Sequence, residues 1–358
     1  MISNEEVTIE QDVNLNITND FYFSYSSLNK LLGNPRLFYK EYILGEKEIK
    51  TEKYLLEGAI IHNLLLEPEA FNDRFVTTPE LPSPNSIKVI NHIFDTYEQR
   101  LNLSQNLLHN ESLDTKSSLA DFEDEILECL ELMNLHQKVG SDKRALKIIE
   151  PKSIEYFEHL KNSKEKIIVD SEVLAKCAAS VEIIKQDKGI MSLLGQDDET
   201  SKKVFNELSI TKDFSKLRPQ KNDYNRFPFK GLKGIVDNIV IDEEKKEILI
   251  NDFKTTSKSL DDFQNSIEYY KYSLQAAIYL TLVNTWCSEF IDNIEMYSIK
   301  FNFIVFDKYN YLYAFPVSDL SKLKWEQELI HALYTATYHK QNNNYNLPYK
   351  YMTGSVSL

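Results

Sequence analysis

Cysteine, long apolar runs and surplus positive charge are all scarce in this sequence, and each shortage argues against a class of protein. The 358 residues include three cysteines, Cys129, Cys177 and Cys287, which lie far apart along the chain. This spacing gives neither a CxxC pair nor a zinc motif, and an iron–sulfur cluster usually requires four thiolates. We therefore expect free, buried thiols in a reducing compartment. No segment reaches the roughly 18 consecutive apolar residues that would span a bilayer, which argues against a membrane protein.

Basic residues are outnumbered by acidic ones. The sequence has 41 lysines and arginines against 55 aspartates and glutamates, a formal net charge of −14 at pH 7. Neutralising the phosphates of a nucleic acid takes lysine and arginine on one surface, so the total argues against tight non-specific binding. It does not exclude a nucleic-acid enzyme, because the local field matters more than the net charge. An acidic exterior around a basic channel would satisfy both facts.

Two kinds of signal are also missing. The opening segment, MISNEEVTIEQDVNLN, is acidic and polar, unlike a secretory signal or a transit peptide. The phosphate-binding pattern GxxxxGK(S/T) does not occur, so any ATP-driven motor would be a separate chain. We therefore expect a soluble, cytoplasmic protein.

The spacing of apolar residues divides the chain into four parts. Residues 1–20 show no strong period, which predicts a flexible N-terminus. Residues 21–85 contain helical patterns, the first after the potential serine caps of FYFSYSS, and would form the N-terminal helical part of the core. In residues 86–195 apolar side chains recur at helical intervals, which predicts a helical insertion that packs on the core. Residues 196–358, rich in short β-branched segments, would form the main core.

The last part alternates strands and helices. Two strands are predicted around the polar turn DEEKK at 242–246, followed by one long helix at 260–286. Two more strands, near 294–306 and 311–317, and a final helix at 319–339 complete the pattern. Strands, a helix and strands again indicate a mixed α/β or α+β fold.

Charged side chains end the second strand of the predicted hairpin. Side chains alternate along a strand, so Ile248, Ile250, Asp252 and Lys254 share one face. If the two strands pair about the turn, Asp237 on the first strand can approach Asp252. Burying such charges without compensation is expensive. A structural salt bridge between Lys254 and one of the aspartates would compensate, and so would a bound divalent cation; the pattern alone leaves both open.

A bound cation would also supply chemistry. Two carboxylates held close together raise each other's pKa, and a hard cation such as Mg²⁺ relieves their repulsion because it prefers oxygen ligands. Such an ion lowers the pKa of a bound water and offsets the charge that grows on a phosphate. Lys254 beside it would polarise the attacking water or help to deprotonate it. These parts suffice for phosphodiester hydrolysis.

Three more short motifs occur in order around these residues. They are GxxxH at Gly58–His62, GxxD at Gly234–Asp237 and QxxxY at Gln275–Tyr279. With the Asp-Phe-Lys run at 252–254, this ordered set resembles the signature of the PD-(D/E)XK nuclease superfamily, and above all its RecE-like branch, the exodeoxyribonuclease VIII-like enzymes of phages and prophages. The resemblance extends over residues 21–80 and 165–340. It implies a restriction-endonuclease-like core, a central mixed β-sheet flanked by helices, into which the helical block is inserted.

The resemblance implies a role for each matching residue. His62, Asp237 and Asp252, with the carbonyl of Phe253, would bind Mg²⁺ or Mn²⁺, and Lys254 would be the catalytic lysine. The spacing agrees, because His62 lies one helical turn after the glycine of its motif. A lone histidine on an apolar helix is more often an ordinary core or surface residue, so that alternative stays open.

Two positions near GxxD are less specific. Glu207, in the segment VFNELSI, matches an acidic residue on the preceding strand and would bind a second metal or position water. Asp213 and Glu199 lie near it in sequence and compete for that role. Asn238 directly follows the motif, where many relatives carry arginine or another polar residue, so DNA contacts at this position are open.

Polar and aromatic residues near the last motif would contact DNA. Gln275 and Tyr279 are four residues apart on the predicted helix and so face the same way; they would contact DNA, brace the site, or cap the core with hydrogen bonds. KYNYLY and YKYSL each place a lysine among tyrosines, which suits phosphate contact and base stacking. Because the chain has 21 tyrosines, packing in a core explains these segments at least as well.

Three functions fit the resemblance. The first is an exonuclease that resects double-stranded DNA ends in the 5′ to 3′ direction in the bacterial or phage-infected cytoplasm, with a single-strand annealing protein as partner in recombination. A homo-oligomeric ring threaded by DNA would reconcile this function with the negative net charge of the chain. The second is a structure-specific endonuclease on the same core. The third is an inactive DNA-binding or scaffold protein, against which the intact set of Asp237, Asp252 and Lys254 argues.

Overall fold

The computed structural model describes residues 15–46, 53–106, 118–163, 166–197, 202–217 and 224–354. The chain forms two compact units: Met1–Tyr54 with Ile183–Leu358 make the first, and Leu55–Glu182 make the second. The limits expected from sequence for an N-terminal part, an insertion and a core stay a prediction.

Strands and helices alternate through the described residues. The strands are β1 (Tyr22–Phe23), β2 (Phe75–Thr78), β3 (Ile167–Asp170), β4 (Lys202–Asp213), β5 (Gly231–Asp242), β6 (Glu247–Thr256), β7 (Ser298–Asp307) and β8 (Leu312–Pro316). The helices are α1 (Tyr25–Gly33), α2 (Pro35–Phe38), α3 (Lys53–Leu66), α4 (Phe71–Arg74), α5 (Pro84–Asn106), α6 (Glu123–Leu132), α7 (Ser141–Arg144), α8 (Pro151–Ser163), α9 (Ser171–Lys185), α10 (Lys188–Leu193), α11 (Phe263–Tyr270), α12 (Tyr272–Cys287), α13 (Asp319–Asn342) and α14 (Tyr349–Met352). None of the described helices is both long and apolar enough to cross a bilayer.

The first unit is built on a mixed sheet. Its strands run in the order β1-β5-β6-β7-β8, and β4 pairs with the other edge of β5. The β4–β5, β5–β6 and β7–β8 pairs are antiparallel, whereas β1–β5 and β6–β7 are parallel. The predicted hairpin about DEEKK is therefore confirmed, and so is the predicted mixed α/β fold with a central sheet.

One edge of β5 is shared by two partners. β6 pairs with it from Asn238 to Asp242, and β1 pairs with it at Gly231 and Leu232. Between Leu232 and Asn238, this edge of β5 is paired with neither β1 nor β6. The acidic residue of the GxxD motif, Asp237, lies where β6 leaves β5.

Helix α12 packs against β4, β5 and β7, and α13 packs against α12. Because α12 is covered by the sheet and by a helix, its apolar residues run around most of its circumference, and buried positions extend from Ser273 to Cys287. The core beneath it contains Phe301 and Phe303 of β7, both fully buried. Layers of sheet and helix thus enclose one hydrophobic interior.

A left-handed residue breaks the single helix expected at 260–286. Lys271 has φ 55° and lies between α11 and α12, and its N–H bonds to the carbonyl of Glu268. Such a conformation ends a helix, but it is usually signalled by glycine or asparagine. Because this position holds a lysine, the sequence did not indicate the end of a helix here. The break leaves Tyr269 and Tyr270 at an exposed corner.

The second unit is largely helical, as the periodicity of its sequence indicates. A separate hydrophobic core is formed by residues of α5, α6 and α8, including Ile90, Ile126 and Phe157. It also contains a parallel pair, in which Phe75–Thr78 of β2 lie beside Ile167–Asp170 of β3. That pair was not anticipated, because each strand has four residues and they lie far apart in the chain.

Candidate active site

Three carboxylates lie in one row across β4, β5 and β6. The register of β4 and β5 leaves Glu207 facing Asp237, and a carboxylate oxygen of each lies within 4.8 Å of the other. The pair Asn238–Asn251 is the last one of the β5–β6 ladder on this side, so the next position holds Asp237 and Asp252. We call Glu207, Asp237 and Asp252 the acidic row. The structure thus brings together three residues that the sequence placed on separate segments.

Glu207 interrupts its strand locally. Its φ is 48°, in the left-handed region, and the ladder resumes on both sides without a change of register. A residue other than glycine costs roughly 1–2 kcal/mol in this conformation, and such positions are often found at functional sites. This observation favours Glu207 over its two competitors. Asp213 lies at the far end of β4, where it accepts a hydrogen bond from Tyr22, and Glu199 lies outside the described residues.

The Asp237 side chain joins β5 to the diverging β6. Its Oδ2 accepts a hydrogen bond from the backbone N–H of Phe253 at 2.8 Å, in a buried position. The carboxylate thereby replaces the backbone acceptor that regular strand pairing would have supplied. Asp237 therefore has a structural contact as well as a place in the acidic row.

Lys254 and Asp252 form a buried ion pair. The Lys254 Nζ lies 2.5 Å from Asp252 Oδ2; the lysine side chain is 16% exposed and the aspartate is fully buried. Burial lowers the pKa of Lys254, but the charges of Asp252 and Asp237 and the hydrogen bond to Asp252 outweigh it, so its pKa is raised. The lysine is thus held as an ammonium ion. Asp252 and Lys254 therefore lie on the same face of β6, as predicted.

The acidic row brings three carboxylates together, and the ammonium of Lys254 pairs with one of them, Asp252. A buried ion pair alone is weak evidence for stability. Carboxylate oxygens at this spacing are the ligands that Mg²⁺ and Mn²⁺ prefer. The donor set therefore fits a divalent cation.

Gln275 and Tyr279 lie on the side of α12 that faces the site. Gln275 Nε2 donates a hydrogen bond to the Tyr279 hydroxyl at 3.0 Å, and both side chains are 7% exposed. Burial raises the pKa of Tyr279, and the nearby charges of Asp237 and Asp252 raise it further. The tyrosine is therefore within electrostatic reach of the acidic row and stays a neutral hydroxyl.

The glycine of GxxD provides space for the tyrosine of QxxxY. A Cβ atom built on Gly234 would lie 2.9 Å from Cε1 of Tyr279 and 3.3 Å from Cδ1 of Leu282. These distances are shorter than ordinary carbon contacts. Gly234 and Tyr279 lie 45 positions apart in the sequence, yet they pack directly against each other and so link the two motifs.

Replacing Gly234 with alanine is expected to displace the Tyr279 ring and to lower both stability and cleavage of DNA. Overpacking of this kind costs about 1–3 kcal/mol, measurable by thermal or denaturant unfolding. Gly33→Ala is the matched control, because a Cβ atom there meets nothing within 4 Å. Equal stability of the Gly234 variant and the wild type would contradict the packing described here.

An asparagine ladder lies next to the acidic row. Asn302 donates to Asn251 at 2.9 Å, Asn251 donates to Asn238 at 2.8 Å, and Asn238 donates to Asn206 at 2.8 Å. These side chains come from β7, β6, β5 and β4 in turn, and the inner pair is fully buried. Since side chains alternate along a strand, the ladder occupies the opposite face of the sheet from the acidic row.

The ladder is also tied to the end of α10. The carbonyl of Leu193 accepts from Asn251 at 2.7 Å, and that of Leu194 accepts from Asn238 at 3.1 Å. These bonds satisfy carbonyls that the last turn of a helix leaves without partners. Sequence reasoning considered Asn238 only for DNA contact and missed this network. The sequence did contain an indication of the network: each of four predicted β segments includes an asparagine, a residue that is uncommon in strands.

His62 lies on α3 of the second unit, one turn after Gly58, and is half-buried. The helix expected for the GxxxH motif is confirmed. The proposed role of His62 as a ligand, and that of the Phe253 carbonyl, stay predictions.

A mixed sheet that carries a row of carboxylates beside a lysine is suited to the hydrolysis of phosphodiester bonds with a divalent cation. The chain belongs to the PD-(D/E)XK nuclease superfamily, whose family model matches residues 22–302. Nucleases of this superfamily use divalent metal ions. The resemblance drawn from the motifs is confirmed at the level of the superfamily.

A solved structure from Eubacterium rectale, described as that of a candidate exonuclease, is similar to this chain. The two share 13% sequence identity with a TM-score of 0.40, over 96% of this chain and 88% of the other. No curated protein matches the chain in sequence.

Proposed function

We propose that this protein is a metal-dependent deoxyribonuclease, and specifically an exonuclease of the RecE-like branch that resects double-stranded DNA in the 5′ to 3′ direction. The observation that carries the proposal is the acidic row, with the ammonium of Lys254 beside it, at the point where β6 leaves β5. The order of the sequence motifs supports the choice of branch. An annealing protein as partner, a ring-shaped oligomer and a role in phage recombination in the cytoplasm belong to the same proposal.

The acidic row would hold the metal. Asp237 and Asp252, with His62 and the carbonyl of Phe253, would bind Mg²⁺ or Mn²⁺, and Glu207 would bind a second ion or position a water. When bound, the ion lowers the pKa of a coordinated water and offsets negative charge on the phosphate. The donor chemistry supports this set, since hard divalent ions prefer carboxylate and carbonyl oxygens.

The remaining residues would orient the reactants. Lys254 is held as an ammonium by Asp252, so it suits the polarisation of a water or of a phosphate oxygen rather than the acceptance of a proton. Gln275 would hold the Tyr279 hydroxyl in place, and both would brace the acidic row or contact the DNA strand. Gly234 keeps that tyrosine close to β5.

His62→Ala is expected to weaken Mn²⁺ binding by about tenfold or more, because a ligand of the ion is lost. Isothermal titration with Mn²⁺ measures this. His159→Ala is the control, since His159 is a partly exposed histidine of the same unit that lies beside Glu155. Equal affinity of the His62 variant and the wild type would remove this histidine from the metal site.

A linear duplex and a closed circular duplex, each incubated with Mg²⁺, separate the candidate activities. We expect the linear DNA to be degraded and the circle to survive, because an exonuclease needs an end. Loss of both DNAs would replace the proposal with an endonuclease. Survival of both would favour an inactive scaffold on the same fold. Gel electrophoresis of a 5′-labelled and a 3′-labelled strand gives the direction of digestion.

A further inference from the structure

A chain of aromatic rings leads from Lys254 to the surface. The Lys254 Nζ lies 5.0 Å from the centroid of the Tyr272 ring. Tyr272 stacks on Tyr270 with 5.4 Å between centroids, and Tyr270 meets Tyr269 edge to face at 4.9 Å. We call Tyr269, Tyr270 and Tyr272 the tyrosine track. It is continuous with the proposed active site.

The outer rings of the track are exposed. Tyr269 is 77% and Tyr270 is 42% exposed, so they are not core residues. Lys258, a second basic residue, lies over the Tyr269 ring at 5.8 Å. Exposed aromatic rings with lysines beside them form a platform on which nucleic-acid bases stack.

The backbone holds this platform in place. The left-handed Lys271 turns the chain between α11 and α12. The carbonyl of Tyr270 accepts hydrogen bonds from the Tyr25 hydroxyl and from Asn29 Nδ2, the latter at 3.2 Å. Both donors belong to α1, so the corner is fixed to a second helix. A rigid ring loses less conformational entropy on binding than a mobile one.

Charge in this region is balanced. Between Lys254 and Tyr272 the sequence carries three lysines and three acidic residues. Attraction of phosphates by net charge is therefore weak here, and affinity must come mainly from the faces of the rings. A double helix keeps its bases stacked on each other, so only an unpaired strand can offer them to the track.

We propose that the tyrosine track binds the unpaired bases of a single DNA strand that leads into the acidic row. This inference rests on the proposed nuclease function and adds to it the form of the substrate near the site: a strand separated from its partner. Because stacking dominates, binding should depend less on salt concentration than that of a protein that neutralises many phosphates.

Binding of a fluorescein-labelled oligothymidylate to the full-length protein in EDTA tests the track without any cleavage. Tyr269→Ala and Tyr270→Ala are each expected to weaken binding about tenfold, as the loss of a stacked base does. Tyr269→Phe and Tyr270→Phe keep the ring and should bind like the wild type. Tyr351→Ala is the matched control, because Tyr351 is 52% exposed and carries Lys350 over its ring at 5.0 Å, outside the track.

The outcomes distinguish the track from the nuclease. Wild-type binding by both alanine variants, or equal weakening by Tyr351→Ala, would overturn the track. If the wild type binds no oligothymidylate in EDTA but cuts DNA with Mg²⁺, the track fails and the nuclease stands. If the alanine variants weaken binding as expected while the wild type cuts no DNA with Mg²⁺ or Mn²⁺, the track stands and the hydrolytic proposal fails.

Discussion

Asp252→Asn is expected to reduce Mg²⁺-dependent cleavage of DNA by about a thousandfold, the loss typical of removing a group that stabilises transition-state charge. The asparagine keeps the shape of the side chain but not its charge, so the acidic row loses a proposed metal ligand and Lys254 loses its ion-pair partner. The substituted amide oxygen can still accept a hydrogen bond from Lys254, so the fold should survive. Initial rates on a labelled duplex measure the effect.

Asp242→Asn is the control for this variant. Asp242 ends β5, the strand that carries Asp237 of the acidic row; it is also buried, and it pairs with Lys245 at 3.2 Å in the turn. It lies at the hairpin turn, away from the row, so its variant should cut at the wild-type rate. Cleavage by Asp252→Asn at the wild-type rate would remove Asp252 from the proposed metal site. A loss of cleavage in the control as large as in Asp252→Asn would show that any buried charge change in the sheet has this effect.

Asn251→Leu is expected to lower the free energy of unfolding by about 3 kcal/mol. Asn251 donates to Asn238 and to the carbonyl of Leu193 and accepts from Asn302. Leucine cannot make any of these bonds, and each one lost in a buried place costs about 1 kcal/mol. Urea-induced unfolding followed by circular dichroism measures the difference.

The end of the asparagine ladder gives the comparison. Asn302 makes one bond to Asn251 in the ladder and is 7% exposed, so Asn302→Leu should cost about 1 kcal/mol. Equal destabilisation by both variants would contradict the order of the ladder. If the ladder also aligns the acidic row, Asn251→Leu should lose more cleavage than its unfolded fraction explains.

Local features of the fold were predictable from the sequence. A serine cap was expected before the first helix, and Ser24 supplies it through a capping box with Ser27. The hairpin about DEEKK was readable because two β-branched segments flank a polar turn. The turn predicted that the two strands pair with each other. Because side chains alternate along a strand with a fixed period, this pairing also predicted that Asp237 approaches Asp252. These inferences depend on neighbours in sequence or on one short turn.

Long-range features were not predictable in the same way. The asparagine ladder joins four strands, and no single segment shows which asparagine will face another. The break at Lys271 is set by tertiary contacts such as the Tyr25 hydroxyl on the carbonyl of Tyr270, since lysine has no preference for a left-handed backbone. The position of Glu207 opposite Asp237 likewise depends on the register of β4, which the ordered motifs did not fix.

The pairing of β1 with β5 has a consequence for biosynthesis. Tyr22 and Phe23 are made early, but their partners Gly231 and Leu232 leave the ribosome about two hundred residues later. Asp252 and its partner strand β7 follow later still. A nascent chain therefore cannot assemble the acidic row before Asp252 has been synthesised. DNA in the cell can meet the proposed active site only after that point of translation.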